Sequence, residues 1–206
     1  MSRPRETERV DIKSLTLKKA KELFLMQGYQ NVTMRAIADA IGFSPAAIYL
    51  YYQSKDEILY EINNEGFRIL YKYQKEAMDS EPGDPMRRLN VHGHAYLRFA
   101  MENPEYYKLM FVEHGPRDFV ENCEKSLREG LVDHSERSYD LLRQNIAACI
   151  AGGNFKDIDV ETGAFMMWSL VHGISSLVLR GMVGVPEEMQ KPFVKNTLDS
   201  VMKLLR

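Results

Sequence analysis

Residues that start and end helices follow one another closely in the N-terminal quarter of the chain. Their spacing constrains the possible folds more than any other feature of the sequence. Gly28 ends an apolar-faced segment in the way a C-terminal glycine does. Thr33 fits an N-cap, and Gly42 ends the segment after it. Ser44 is the next N-cap candidate, and Pro45 suits a first helical position because its missing N–H costs nothing there. The predicted helices cover 10–27, 33–41 and 44–52.

Helical signals continue through the remainder of the chain. Ser54 with Glu57 three residues later forms a capping-box pattern and opens a helix predicted over 55–78. The stretch "DSEPGDP" at 79–85 is rich in turn formers and predicts a linker. No alternating strand pattern and no internal repeat occurs, so we predict an all-α fold of about nine helices. The later helices are predicted over 86–102, 104–114, 118–131, 134–152, 159–182 and 187–205.

Charge is spread unevenly along the 206 residues, whose net charge is −2. The first 60 residues carry nine Lys and Arg against seven Asp and Glu, and the remainder carries 18 against 22. A mildly basic N-terminal part on an acidic body fits a small nucleic-acid-binding module on a larger domain.

Nothing in the sequence predicts a secreted or membrane protein. Cys123 and Cys149 do not make a disulfide framework. The N-terminal "MSRPRETERV" lacks the apolar core of a signal peptide. The most apolar span, 164–185, is interrupted by His172, Arg180, serines and glycines, so we expect a buried helix and not a membrane span. These observations predict a cytoplasmic protein.

The first three helices form a helix-turn-helix pattern, since two short helices joined by a glycine turn follow a supporting helix. The second helix of this motif presents its N-terminal residues to the major groove of DNA. Ile48 and Tyr52 are four residues apart and share a face, which the aliphatic Ile48 marks as the inward one. The residues left to the outward face and its flank are Pro45, Ala46, Ala47, Tyr49 and Tyr51.

Phosphate contacts are expected around this helix. A tyrosine hydroxyl can bind phosphate while its ring packs against sugar. Lys55 adds an ammonium group beside the amides of a helix start, and Thr33 and Arg35 open the preceding helix. The predicted DNA-binding residues are Thr33, Arg35, Ser44, Pro45, Ala46, Ala47, Tyr49, Tyr51 and Lys55.

The stretch "ELFLMQGYQNVTMRAIADAIGFSPAAIYLYYQSKDEIL" resembles the DNA-binding domain of the TetR/AcrR family of transcriptional regulators. The Gly-Thr pair common in the recognition helix of that family is Ala46-Ala47 here, and alanines make only van der Waals contacts, for example to thymine methyls. The matching positions are Leu23, Phe24, Gly28, Tyr29, Thr33, Ile37, Ala38, Ser44, Tyr49, Tyr52, Ser54, Lys55 and Leu59.

Two downstream stretches, "AYLRFAMENPEYYKLMF" and "WSLVHG", resemble a regulatory-domain class of the same family that is marked by a Trp…His-Gly signature. The resemblance implies a DNA-binding domain at 1–54 and a regulatory, ligand-binding and dimerisation domain at 55–206, with a connecting helix at 55–78. It also implies a dimeric repressor that binds a palindromic operator on double-stranded DNA and is released by a small-molecule effector.

An effector site is expected among aromatic and methionine residues of the regulatory domain. Such side chains line pockets for apolar or aromatic ligands, although the same pattern also fits a helical core with methionine filler. Trp168 and His172 share one helix face at a spacing of four. The predicted ligand-contacting residues are His92, Tyr96, Phe99, Met110, Phe111, Trp168 and His172.

The resemblance implies that the last two helices pair with their counterparts in a four-helix bundle. Small residues such as Gly163 and Ser175 allow close approach there, and the last helix carries an apolar stripe. The predicted dimerisation residues are Gly173, Ser176, Leu198, Val201, Met202 and Leu205.

No catalytic motif occurs: Gly-x-Ser-x-Gly, a phosphate-binding glycine loop and His-Glu-x-x-His are all missing from the sequence. His92 and His94 are two residues apart and diverge on a helix, so we expect no metal site. The prediction is therefore a regulator that is not an enzyme and uses no cofactor. The alternatives are an effector-independent regulator or activator, and an all-helical small-molecule-binding protein without a DNA role.

Overall fold

A computed structural model of the chain describes residues 11–111 and 133–205. Within these ranges the chain forms α-helices and one short 3-10 helix, Tyr29–Asn31, and no strand, which confirms the predicted all-α class. The predicted helix 118–131 and Cys123 lie outside the described residues. The nine α-helices of the described ranges are α1 Ile12–Gln27, α2 Met34–Ile41, α3 Pro45–Tyr49, α4 Lys55–Asp79, α5 Pro85–Glu102, α6 Pro104–Phe111, α7 His134–Ala151, α8 Val160–Leu179 and α9 Glu187–Leu204.

The chain divides into two compact units. Among the described residues, the first unit holds 11–63 and 108–111, and the second holds 64–107 and 133–205. The boundaries fall inside the 25-residue α4 and inside α6, so both helices supply residues to both units.

In the first unit, α1 begins where Asp11 caps it. The Asp11 carboxylate accepts a hydrogen bond from the Ser14 amide at 3.1 Å, which moves the start of the helix two residues beyond the predicted Val10. Gly28 ends the helix with φ of +77°, and its amide bonds the Phe24 carbonyl at 3.0 Å. The helix then packs on α2 and α3 through buried residues that include Phe24.

The turn between α2 and α3 depends on Gly42. Thr33 caps α2 as predicted, since its Oγ1 accepts from the Ala36 amide at 3.1 Å. Gly42 adopts the left-handed conformation, with φ of 75° and ψ of 27°, and the Phe43 amide returns to the Ala38 carbonyl at 3.1 Å. This closure ends α2 and lets α3 begin at Pro45, three residues after Gly42.

Helix α3 is shorter than predicted. The Tyr51 and Tyr52 amides both bond the Ile48 carbonyl, at 2.8 and 3.0 Å, so the chain leaves the helix in a tight turn after Tyr49. The next helix is capped by Ser54, whose Oγ accepts from the Glu57 amide at 3.3 Å. The Glu57 carboxylate in turn accepts from the Gln53 amide at 2.6 Å, one residue earlier than in a regular capping box.

In the second unit, α5 is the central helix and packs against α7, α8 and α9. Its buried residues include Leu89, Ala95 and Phe99. Gly93 permits the close approach of α9, because a Cβ atom at this position would lie 2.9 Å from Leu198 Cδ2. The arrangement buries one face of every helix that surrounds α5.

Helix α8 is the one described helix that is long and apolar enough to cross a membrane, with a mean hydropathy of 1.4 over its most apolar window. A single such helix is weak evidence for a membrane span, because length and composition alone select it. It packs against α5, α7 and α9, as a core helix of a helical unit does. Its buried residues recur at spacings of one to four: Gly163, Ala164, Met167, Val171, Ser175 and Val178.

Candidate functional site

The Lys55 ammonium group is held inside the first unit. Lys55 Nζ donates to the carbonyl oxygens of Tyr29 at 2.9 Å, Val32 at 3.1 Å and Gln30 at 3.4 Å. It also lies 4.2 Å from the centroid of the Tyr29 ring. These contacts tie the loop before α2 to the first residue of α4, and they use the donors that the sequence assigned to a DNA phosphate. Contact of Lys55 with phosphate remains a prediction, and it requires the ammonium group to leave carbonyl partners.

Tyr29 reinforces the same connection. Its hydroxyl donates to the Asp56 carboxylate, and its ring meets Phe24 edge to face at 5.2 Å. Tyr29 and Phe24 are both buried. The 3-10 helix is therefore fixed from below by the core and from the side by α4, which positions Thr33 at the start of α2.

The side chains of α3 and the turn after it fall on a buried and an exposed face, as the helical period of 3.6 residues requires. Ile48 is 0% exposed and Tyr52 is 1% exposed, whereas Tyr49 is 53% and Tyr51 is 46% exposed. This matches the inward and outward faces expected from the spacing of Ile48 and Tyr52. Burial and the nearby Glu61 carboxylate raise the pKa of Tyr52 far above the ordinary value of a phenol, so Tyr52 is a neutral core residue.

Leu50 is a surface residue that the sequence analysis missed. It is 82% exposed, and its backbone is still helical, with φ of −70° and ψ of −19°. At 100° per residue it lies opposite the buried Ile48 and Tyr52, four residues after Ala46. The signal was available, because the i, i+4 rule that placed Tyr52 beneath Ile48 also places Leu50 beside Ala46.

The other predicted DNA-binding residues lie at the surface of the first unit. Thr33, Ser44 and Ala46 are exposed, and Pro45 and Ala47 are half-buried. The Ser44 side chain does not cap α3. The Arg35 side chain is 84% exposed and lies 3.9 Å from Asp39, a separation that leaves its guanidinium group accessible to an anion.

In the second unit, two tyrosine hydroxyls converge on His172. Tyr96 Oη and Tyr107 Oη each lie 3.1 Å from His172 Nδ1. The Tyr107 hydroxyl also donates to the His172 carbonyl oxygen at 3.1 Å. The Tyr107 ring stacks on the imidazole at 5.6 Å, and the Trp168 ring lies 6.0 Å from it. We call Tyr96, Tyr107, Trp168 and His172 the aromatic cluster.

The aromatic cluster is uncharged near neutral pH. Burial raises the pKa of Tyr107 to about 12 and raises that of Tyr96 well above its ordinary value. Burial also lowers the pKa of His172. The cluster combines aromatic surface with a few hydrogen-bonding groups, as small-molecule sites do.

His92 belongs to a separate buried chain of polar groups. Ser138 Oγ donates to Gln74 Oε1 at 2.7 Å, and Gln74 Nε2 lies 3.0 Å from His92 Nε2. His92 Nδ1 lies 3.3 Å from both Met78 Sδ and Asn145 Nδ2. Burial lowers the pKa of His92 to about 4, so the ring is neutral. We call Ser138, Gln74, His92 and Asn145 the polar chain.

Hydrogen-bond logic fixes the tautomer of His92. The Ser138 hydroxyl occupies the Gln74 oxygen, so the Gln74 amide group donates to Nε2 and the imidazole proton sits on Nδ1. Met78 Sδ is only a weak acceptor for that proton, and Asn145 Oδ1 is buried without a partner among the described residues. Turning the Asn145 amide by 180° satisfies both groups, and we assign this orientation.

The predicted ligand-contacting residues thus fall into different surroundings. Tyr96, Trp168 and His172 come together in the aromatic cluster, which also contains Tyr107, a residue that helical spacing did not single out. His92 is enclosed by the polar chain, with protein partners at both ring nitrogens, and we leave it out of the ligand site. The remaining predicted residues are Phe99, which is 0% exposed in the core of the second unit, and Met110 and Phe111, which belong to the first unit.

The predicted dimerisation residues also divide. Leu198 is 0% and Met202 is 4% exposed, because α9 turns both toward α5 of its own unit. They offer almost no surface to a second copy, and we remove them from the dimer surface. Gly173 has open space beside it, whereas Ser176, Val201 and Leu205 are half-buried. Large apolar residues exposed on the same two helices are Phe165, Met166, Leu177, Leu179, Met189, Phe193 and Leu204.

One surface concavity of the described residues lies away from the aromatic cluster. It has a volume of about 250 Å³ and is lined by Asn90, Asp199, Met202 and Lys203. Asp199 Oδ1 accepts from Asn90 at 3.1 Å and lies 2.7 Å from His94 Nε2. Hydrogen bonds hold the pKa of Asp199 far below its usual range. The Lys195 ammonium group has the largest effect, and the His94 and Asn90 side chains have smaller effects in the same direction. The described residues contain no group of three or more His, Cys, Asp or Glu side chains that could hold a metal ion.

The fold and the exposed face of α3 define a helix-turn-helix protein with a separate helical unit. Sequence comparison agrees with this class. Residues 17–62 match the family described as "Bacterial regulatory proteins, tetR family", and residues 89–201 match the "Tetracyclin repressor-like, C-terminal domain". The second match alone spans more than half of the chain. The chain belongs to the TetR family of transcriptional regulators, as its resemblance predicted.

Individual relatives are distant. The chain is 29% identical over 168 residues to YhgD of Bacillus subtilis (strain 168), an uncharacterized HTH-type transcriptional regulator, covering 78% of this chain and 81% of that protein. Its fold is similar to that of the TetR family regulator PfmR from Thermus thermophilus, with a TM-score of 0.67 at 21% identity, covering 100% of this chain and 96% of the other. It is also similar to FadR from Bacillus subtilis, solved in complex with stearoyl-CoA, with a TM-score of 0.68 at 18% identity, covering 93% and 96%.

Proposed function

We propose that the protein is a cytoplasmic transcriptional repressor that binds a palindromic operator as a homodimer and is released by a small apolar or aromatic effector. The observation that carries the DNA-binding part is the sorting of α3. Ile48 and Tyr52 are buried beneath the helix while Tyr49 and Tyr51 stand half exposed on either side of it. A helix that is fixed from below and free above can enter a major groove.

The proposed contacts combine positioning and base readout. The Tyr49 and Tyr51 hydroxyls donate to backbone phosphates on the two flanks of α3. Thr33, Arg35 and Ser44 reach phosphates from the start of α2 and the turn before α3. The two alanines at the N-terminal end of α3 approach the bases, and Pro45 sets the direction of the helix. Lys55 supports this surface from inside the unit by holding the loop before α2.

A single module of this size makes too few contacts for tight, specific binding, so two copies are needed. A two-fold dimer presents two recognition helices to half-sites separated by about one helical turn of DNA or a multiple of it. The exposed apolar side chains of α8 and α9 support pairing of these helices with a second copy. Leaving many large apolar residues of two adjacent helices exposed to water is unfavourable, and pairing would cover them. Gly173 permits close contact in that pairing, and Ser176, Val201 and Leu205 lie at its margin.

The aromatic cluster is the proposed effector contact. Its neutral imidazole and phenols suit an uncharged or weakly polar group attached to an apolar body. The FadR structure with stearoyl-CoA supports the class of ligand, since a regulator of the same fold accommodates a long acyl chain. The exchange of the Tyr96 or Tyr107 bond to His172 for a bond to a ligand is the chemical event that we expect.

Release from DNA is proposed to be a shift in population. The effector binds better to dimers whose two DNA-binding units no longer match the half-site spacing, and this difference in affinity sets the size of the response. Helix α4 contributes residues to both units, which makes it the proposed connection.

Binding of the full-length protein to the DNA upstream of its own gene tests the DNA-binding role. Fluorescence anisotropy over a series of salt concentrations gives both affinity and salt slope. Tyr49→Phe removes one phosphate donor per subunit and weakens binding by about five- to tenfold, with a smaller salt effect than Arg35→Ala. Tyr52→Phe is the matched control, because its hydroxyl is buried. Equal affinity of the Tyr49→Phe variant and the wild-type protein would remove Tyr49 from the interface.

The effector role is tested separately. Acyl-CoA esters, free fatty acids and aromatic acids are added to the protein–DNA complex, and release is measured by anisotropy. Release by one class, lost in His172→Leu but retained in His94→Leu, supports the aromatic cluster as the contact. If no compound class changes DNA affinity, the effector-independent regulator becomes the better description. A reporter strain with and without the gene then distinguishes a repressor from an activator.

A further inference from the structure

Leu50 is one of the most exposed large apolar side chains in the first unit, at 82%. A single exposed leucine is common at protein surfaces. This one is the C-cap residue of the helix that the proposed function places in the major groove. It stands between two half-exposed tyrosines in the sequence, and helical periodicity places it opposite the buried Ile48 and Tyr52. Its position, rather than its exposure alone, makes it informative.

Helix geometry pairs Leu50 with Ala46. The two residues are four apart, and the backbone of Leu50 remains in the right-handed helical region, so their side chains follow one another along the outward face. Tyr49 and Tyr51 lie to the two sides of that line. The centre of the surface is therefore apolar, and the hydrogen-bonding groups stand at its edges.

A row of apolar side chains in the major groove discriminates among bases because it cannot form hydrogen bonds with their polar groups. Guanine, cytosine and adenine present hydrogen-bond donors or acceptors there, and a leucine that covers them removes water without replacing the bond. Thymine presents the O4 acceptor as well, but it alone adds a C5 methyl group, which gains from contact with another apolar group. An apolar centre thus selects thymine.

We propose that Leu50, together with Ala46, reads the C5 methyl groups of thymines in each operator half-site and is a specificity-determining residue. This inference rests on the proposed DNA-binding function and names the base feature that the function uses. Tyr49 and Tyr51 orient α3 on the DNA backbone, and Leu50 determines which base pairs are favoured at the position that it contacts.

Replacement of thymine by deoxyuridine removes the methyl group and leaves every hydrogen-bonding group in place. A duplex is first selected from a random-sequence library with the full-length protein, and each thymine of one half-site and its symmetry mate is then replaced in turn. At the contacted position, deoxyuridine weakens wild-type binding by about three- to fivefold per methyl group. Leu50→Ala binds the thymine duplex more weakly and no longer distinguishes it from the deoxyuridine duplex.

Two further variants sharpen the result. Met26 on α1 is 81% exposed, so Met26→Ala is a matched control for loss of exposed apolar surface, and it retains the thymine preference. Leu50→Gln replaces methyl contact by an amide that pairs with adenine, and selection with this variant yields a different base at the same position. Thermal unfolding of each variant verifies that the fold is intact.

The outcomes separate the inference from the proposed function. If deoxyuridine weakens the wild type and Leu50→Ala equally, another residue reads the methyl group and the inference is overturned. If no thymine replacement affects the wild type, methyl readout is overturned while DNA binding stands. Failure of the wild-type protein to enrich any duplex overturns the proposed function, and the role of Leu50 with it.

Discussion

The two units of the protein place their polar groups in opposite ways. In the first unit the interior beneath α3 is formed by residues such as Ile37 and Ile48, and the hydroxyls of Tyr49 and Tyr51 stand at the surface. In the second unit, Gln74, His92 and Asn145 are 1 to 4% exposed and bond one another. The first arrangement suits a partner that approaches from outside, as the proposed function requires. The second specifies how the helices of the unit fit together, because a buried polar group without its partner is costly.

The largest expected effect comes from breaking the polar chain. Gln74→Leu leaves the Ser138 hydroxyl and His92 Nε2 buried without partners, and we expect it to lower the free energy of unfolding by about 2 to 4 kcal/mol. Urea unfolding followed by circular dichroism measures this change.

The matched control for that variant is Gln144→Leu on α7, whose side chain is exposed and which should change stability by less than about 0.5 kcal/mol. If the two variants lose similar stability, the polar chain does not hold the second unit together, and the contrast between the units disappears.

A pH-dependent loss of stability follows from His92. Its folded pKa of about 4 lies below the value of 6.5 for an exposed histidine, so the unfolded chain binds the proton more readily. The stabilisation is complete above pH 6.5 and is lost as the pH falls toward 4. Between pH 7 and pH 5 this histidine alone lowers the free energy of unfolding by about 2 kcal/mol.

His92→Gln isolates that contribution, since glutamine can hydrogen-bond but does not titrate. Unfolding in urea at pH 7 and at pH 5 should show a smaller difference in stability for this variant than for the wild type, by about 2 kcal/mol. An identical pH dependence in the two proteins would mean that His92 has the same pKa in the folded and unfolded states, so that burial does not lower it.

Lys55 tests the comparison from the side of the first unit, where its half-buried ammonium group donates to backbone carbonyls. Lys55→Met removes charge-assisted hydrogen bonds to Tyr29 and Val32 and should cost about 1 to 2 kcal/mol of stability. Lys18→Met, at an exposed position of α1, is the control. A loss of DNA affinity without any loss of stability in Lys55→Met would instead favour the phosphate contact predicted from sequence.

The smallest effect is expected at the turn between α2 and α3. Gly42→Ala places a Cβ atom in open space but in a left-handed conformation, so the cost is conformational and amounts to about 1 kcal/mol. Differential scanning calorimetry detects the corresponding fall in melting temperature. The second unit, whose chain reversals do not involve Gly42, should keep its own stability, and a uniform fall across both units would show that they unfold as one.

Local rules predicted most of the first unit. The Thr33 cap, the Gly42 stop and the burial of Ile48 and Tyr52 all depend on residues within five positions of one another, so periodicity and capping patterns suffice. Leu50 was missed although the same rule locates it. The role of Lys55 was not visible, because its carbonyl partners are 23 to 26 residues away in the sequence.

Long-range packing explains what the sequence left open in the second unit. Helix bounds there were predicted within a few residues, yet His92 was assigned to a ligand and Leu198 to a dimer surface. Both assignments depended on which side of a helix faces its own unit, and that is decided by helices distant in sequence: α4 and α7 for His92, and α5 for Leu198. The convergence of Tyr96 and Tyr107 on His172 likewise joins residues 65 to 76 positions apart.

The central claim is that DNA binds to the outward face of α3, and hydrogen exchange of the unmodified protein tests it most directly. Backbone exchange is followed by mass spectrometry with and without a duplex selected by the full-length protein. We predict protection of peptides that cover residues 31–53 at short exchange times, with little change in peptides of the polar chain. Protection confined to α8 and α9, with unchanged exchange across 31–53, would contradict the assignment of α3 as the DNA-binding element.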